Sequence, residues 1–75
     1  MSYNFTLTKK VGKWEVNIDP EAMYGYFEHD DFGEGGGLWF NEAKELVDYD
    51  GVMILPKNVE QAIHEAGYKL EDDDA

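Results

Sequence analysis

A chain of 75 residues has room for one small domain, and its 17 acids against 6 lysines set a net charge of −11. That charge argues against direct binding to nucleic acid or to anionic lipid, because counterion release and surface potential both reward cations. The absence of cysteine excludes disulfides, a thiolate nucleophile and a thiolate metal site, while 15% aromatic content is too apolar for a wholly disordered chain.

Tyr3, Phe5 and Leu7 alternate with polar residues, a period of two that predicts a half-buried strand. Gly12 marks a turn, and Trp14, Val16 and Ile18 alternate with Glu15, Asn17 and Asp19 as a second strand. The two form a predicted hairpin that ends at Asp19-Pro20, since proline donates no ladder hydrogen bond. Residues 22–28 are rich in aromatics and favour a third strand, with a helical turn from Pro20 to Tyr24 as the competing reading. His29 to Gly37 holds four glycines and three acids and is read as a loop. Leu38-Trp39-Phe40 reads as a buried strand and 41–44 as a turn. Asp50-Gly51 between the apolar runs 45–49 and 52–55 predicts a further hairpin.

A helix is expected over residues 56–66. Pro56 suits its first position, and Val59, Ala62, Ile63 and Ala66 make one apolar stripe. Gly67 fits the residue just past the helix end, with Tyr68 closing an apolar contact there. The predicted fold is α+β: a small antiparallel sheet of four to five strands with one C-terminal helix packed on one face. Residues 1–69 make the single domain, and residues 70–75 an acidic tail expected to be disordered.

Met1-Ser2-Tyr3-Asn4 lacks the basic stretch and apolar run of a signal peptide. The longest apolar run, Val52 to Leu55, is far short of a membrane span. With no cysteine to staple a secreted domain of this size, a cytoplasmic protein is expected.

No nucleophile–base pair can be assembled, and although carboxylate pairs are abundant, a domain that spends its aromatics on its core has little volume left for the cleft that acid–base chemistry needs. The glycine-rich stretch Gly33–Gly37 has no lysine after it and is ringed by acids, unlike a phosphate-binding loop. Glu28, Asp30, Asp31 and Glu34 are close in sequence but do not follow the alternate spacing of a calcium loop, and His29 alone is too little for zinc. Neither His29 nor His64 has a serine or cysteine nearby to activate, so the chain is read as a non-enzyme without cofactor or metal.

What remains is binding. Residues 1–13 carry +3 and residues 14–75 carry −14, so a complementary partner is a basic protein. The expected contact residues are Glu28, Asp30, Asp31, Phe32 and Glu34 of the loop with Asp48 and Asp50 of the second turn. Phe32 is chosen because a large apolar side chain between Asp31 and Gly33 is hard to bury and would suit an anchor with a polar rim. Acids at alternate strand positions recur about every 6.7 Å, a row that can imitate the phosphates of nucleic acid. A structural or accessory homodimer, pairing sheet edges, is the alternative.

The stretches Tyr24-Gly25-Tyr26-Phe27-Glu28-His29, Gly36-Gly37-Leu38-Trp39-Phe40, Asp48-Tyr49-Asp50-Gly51-Val52 and Leu55-Pro56 are similar to uncharacterised small acidic bacteriophage-encoded proteins. The resemblance implies host cytoplasm and an inhibitor of a host enzyme.

Overall fold

Side chains that alternate in and out along successive segments build most of the molecule. The computed structural model describes residues 3–70. Five strands come first: β1 (Leu7–Val11), β2 (Trp14–Asp19), β3 (Tyr24–His29), β4 (Gly35–Phe40) and β5 (Glu45–Tyr49). Helix α1 (Lys57–Glu65) and a short β6 (Lys69–Leu70) follow. The strands lie in the sheet in chain order. The first five are antiparallel, and β6 joins β5 in parallel, with Glu45 opposite Lys69 and Leu46 opposite Leu70.

The fold class is α+β, with six strands where four to five were expected and one parallel pair where none was. A two-residue strand has no periodicity to read, and parallel pairing follows from the crossover through α1. Leu70, assigned above to the tail, lies in β6; the reading of residues 71–75 as disordered falls outside the described residues.

Val16 and Ile18 from β2, Phe27 from β3, Leu38 and Phe40 from β4 and Leu46 from β5 share one face. Val59, Ala62 and Ile63 of α1 complete the core with Leu55 and Tyr68. Each of the buried Val, Leu, Ile and Phe side chains contributes about 1.5–3 kcal/mol on burial, which is what holds a helix too short to persist alone. The helix touches β1 and β2 at one edge of the sheet and β6 at the other. The sheet therefore curls around it.

Pro56 stands one residue before the helix, at its extended N-cap, and not at the first helical position. The C-terminus closes as expected: Gly67 has φ +96°, its N–H donates to the His64 carbonyl, and the Tyr68 N–H donates to the Ile63 carbonyl. Tyr68 is buried against Phe40, and burial pushes its phenol above its usual range, with Asp19 adding to the effect.

Three boundaries differ from the sequence reading. The first strand begins at Leu7, because residues 3–6 leave the sheet register and cross to its other face. β4 begins at Gly35, inside the predicted loop, which shrinks to residues 30–34. The Asp50-Gly51 hairpin does not form. β6 holds the place beside β5, Leu55 turns into the core, and Met53 and Ile54 stay exposed. Asp50-Gly51 instead packs on β4. The Asp50 N–H donates to the Gly37 carbonyl at 3.2 Å, and Asp50 Oδ1 accepts the Gly37 N–H at 2.6 Å. A Cβ on Gly36 would collide with the Asp50 carbonyl, so glycine is required there. Among the described residues, no helix is long and apolar enough to cross a membrane.

Substituting Gly36→Ala should therefore cost about 3 kcal/mol of stability, as overpacking does against rigid backbone. Gly33→Ala, where a Cβ meets nothing and only the φ of +68° is strained, should cost about 1 kcal/mol. Urea unfolding of the two variants measures the difference; equal losses would remove the close-approach account.

Candidate protein-binding surface

The loop between β3 and β4 is tied to the first hairpin by charge. Lys10 Nζ lies 2.6 Å from Asp30 and Lys13 Nζ lies 2.5 Å from Asp31. These are the only ion pairs among the described residues. The Asp30 hydrogen bond and charge, with a smaller contribution from Glu15, hold the Lys10 ammonium above its usual range. His29 Nδ1 accepts the N–H groups of Asp31 and Phe32, which folds the loop back on β3. Phe32 then stacks on the His29 ring at 4.6 Å, and His29 meets Trp14 edge-on at 4.8 Å. One side of the Phe32 ring is supported and the other is in solvent, leaving the residue 73% exposed.

The second feature is the sheet face that α1 does not cover. Strand alternation places Thr8 and Lys10 of β1 on it with Glu15, Asn17 and Asp19 of β2. Tyr24, Tyr26 and Glu28 of β3 follow, then Gly35, Gly37 and Trp39 of β4, with Asp48 of β5 opposite Trp39. Tyr24 packs on Trp39 at 5.3 Å between ring centres. Residues 3–6 fold across this face, so that Tyr3 meets Tyr24 at 4.9 Å and Phe5 meets Tyr26 edge-on at 4.9 Å. The Trp39 indole leans over Gly37: a Cβ there would come within 2.7 Å of the ring. Glu15 stands directly across from Glu28, two like charges at a cross-strand position that ordinarily destabilises.

Asp19 fastens the N-terminal segment. Its Oδ2 accepts the Asn4 N–H at 2.7 Å, and its Oδ1 accepts the N–H groups of Glu21 and Ala22. These bonds, the one from Asn4 foremost, hold its carboxyl below the usual value of 3.8 despite burial. Beside it, buried Asn17 is satisfied by the Thr8 hydroxyl, which donates to Oδ1 at 2.7 Å, and by Glu15.

The predicted contact residues thus scatter. Phe32, Glu28 and Glu34 are exposed, and Asp48 is exposed beside Trp39. Asp30 and Asp31 are occupied by lysines, and Asp50 is bound to the Gly37 amide. Neither Glu28 with Asp30 nor Asp48 with Asp50 presents a row of two free carboxylates along a strand. Among the described residues, no three histidine or acidic side chains converge to hold a metal ion.

The sequence reading made Leu38-Trp39-Phe40 a buried strand and residues 22–28 an aromatic-rich one. Phe27 and Phe40 are buried, whereas Tyr24, Tyr26 and Trp39 face outward. The period of two within β3 and β4 carried that division; nothing in the sequence signals that Tyr3 and Phe5 join them. In comparisons with known proteins, no family model, curated protein or solved structure matches the chain.

A carboxyl held low in the folded state contributes stability above its unfolded value, and that contribution is lost as pH falls through the folded value. The melting temperature should therefore drop below about pH 4, and Asp19→Asn should both lower it at pH 7 and flatten the acid limb. Thermal unfolding from pH 7 to pH 2 tests this. Parallel limbs for the two proteins would show that Asp19 is not the responsible group.

Proposed function

We propose that the chain is an acidic protein-binding module that occupies a basic surface of a partner and blocks it, imitating nucleic acid. The observation supporting this reading is the placement of charge. Strands β2 to β5 hold Glu15, Asp19, Glu28, Glu45 and Asp48 and no lysine. The two lysines nearest the loop, Lys10 and Lys13, are taken up by Asp30 and Asp31. Glu28, Glu34 and Asp48 then present negative charge to solvent without a lysine beside them. Cross-strand neighbours such as Glu15 and Glu28 lie about 5 Å apart, a charge density closer to that of a nucleic-acid backbone than a row along one strand. The likeness to phage-encoded proteins favours a basic host enzyme that acts on nucleic acid, met in the host cytoplasm.

The homodimer alternative is weaker on the same surface. Lys9 and Lys10 guard the β1 edge. At the β5 side, the ladder is irregular between Trp39 and Phe40, and the Asp48 carboxylate accepts the Tyr49 N–H at 2.8 Å. Two copies at −11 also repel.

Capture of partners from bacterial lysate at low salt, released in salt steps and identified by mass spectrometry, tests the reading. One nucleic-acid enzyme leaving at a defined step is the expected result. A smear of ribosomal proteins, or nothing, would show the charge to be generic. With a partner in hand, neutralising Glu28, Asp30, Asp31 and Glu34 together should slow association about tenfold. An unchanged rate would remove the loop from the contact.

A further inference from the structure

We propose that the sheet face opposite α1, with Tyr24, Tyr26 and Trp39 beside the Glu15–Glu28 pair, is a docking surface for an arginine-bearing segment of a partner protein. The inference rests on the acidic-module reading above and says where on the molecule the partner sits. Three observations carry it.

The first is that large rings lie on the solvent side of the sheet. Trp39 is 37% exposed and Tyr3 58%, with Tyr24 and Tyr26 half-buried beside them. Residues 3–6 cross the group, with Tyr3 on Tyr24 and Phe5 edge-on to Tyr26, and still leave it partly exposed; no helix covers it.

The second is the relief of the surface. Gly35, opposite Glu28, has no side chain and is half-buried, while Gly37, opposite Tyr26, is buried beneath the Trp39 indole, so the strand lies low between Glu28 and the indole. Rows two residues apart along a strand are separated by about 6.7 Å. Tyr26 stands in the row next to Glu28, and the Trp39 indole reaches over that same row at Gly37, so a cation between Glu28 and these two rings meets both a carboxylate and aromatic surface.

The third is charge. Glu15 and Glu28 face one another across the strands, and the single lysine in their row, Lys10, is bound to Asp30. Glu15 and Glu28 thus share with Asp30 the one lysine of their row, which leaves a local excess of negative charge. Complementarity selects the occupant. A second copy and the chain's own acidic C-terminal sequence are both repelled, and so is nucleic acid. Arginine fits better than lysine because its planar guanidinium can stack on a ring while forking to carboxylates.

The test is a titration of the full chain by NMR at low salt. The probe is a ten-residue peptide of alternating arginine and glycine, with the lysine–glycine and citrulline–glycine peptides as controls. The Trp39 indole and the Tyr24 and Tyr26 rings should shift saturably while the Trp14 indole stays in place. The arginine peptide should bind several-fold more tightly than the lysine peptide, and the citrulline peptide should not bind. Trp39→Ala should weaken binding about tenfold, and Trp39→Phe should keep most of it. Glu15→Gln with Glu28→Gln should weaken it comparably, with unshifted Phe27 and Ile63 signals reporting an intact core. Shifts confined to residues 29–34 and Phe32 would overturn the face as the site while leaving the acidic-module reading standing. Saturable binding that treats arginine and lysine alike and leaves Trp39 unmoved would also overturn it. No binding of any cationic peptide, at salt low enough to favour it, would remove both.

Discussion

One nine-residue helix cannot cover both faces of a six-stranded sheet. It covers one, and the sheet curls until strands from both edges meet it. The core is then closed by few large side chains, with Phe27, Ile18, Leu38 and Ile63 fully buried. Everything on the other face has to be stabilised without a second layer. Aromatic rings serve there because they shield one another and the polar backbone beneath, at ring-to-ring distances of 4.9–6.2 Å from Phe5 and Tyr3 through Tyr24.

Electrostatics works against this domain almost everywhere. At −11, self-repulsion favours expansion, and the favourable contacts are correspondingly specific. Lys10 and Lys13 tie the first hairpin to the loop after β3. Asp19 replaces a missing cation with three backbone N–H donors, and Asp50 does the same with the Gly37 amide. The acids left over, chiefly Glu15, Glu28, Glu34 and Asp48, make no comparable stabilising contact with a cation. Carboxylates that cost stability in the free protein gain most when a basic surface meets them.

The proposed activity follows from that imbalance and needs no moving part. A rigid, curled sheet presents rings and carboxylates in fixed rows, so little conformational freedom is lost on association. The glycines of β4 serve two ends. Gly36 allows the Asp50-Gly51 backbone to close on β4, and on the opposite face Gly37 makes room for the Trp39 indole to lie over the strand.

The sequence by itself determined the helix with its glycine cap, the first hairpin, the third strand and the exposed position of Phe32. Each is a local matter: a period of 2 or 3.6, a residue tolerant of positive φ, a large apolar group amid acids and glycines. It also determined the negative charge, and so the sign of the partner proposed for it. Tertiary structure alone decided the rest. Asp50-Gly51 has the local signature of a hairpin, yet β6 arrives from beyond the helix to hold the place beside β5. Asp30 and Asp31 read as free carboxylates until the fold brings Lys10 and Lys13 to them across 20 and 18 residues of chain. Tyr3 and Phe5 read as the apolar side of a half-buried strand until the chain before Leu7 leaves the sheet register. In each case the deciding contact joins residues far apart in sequence, and such contacts leave no trace in the local pattern of either partner.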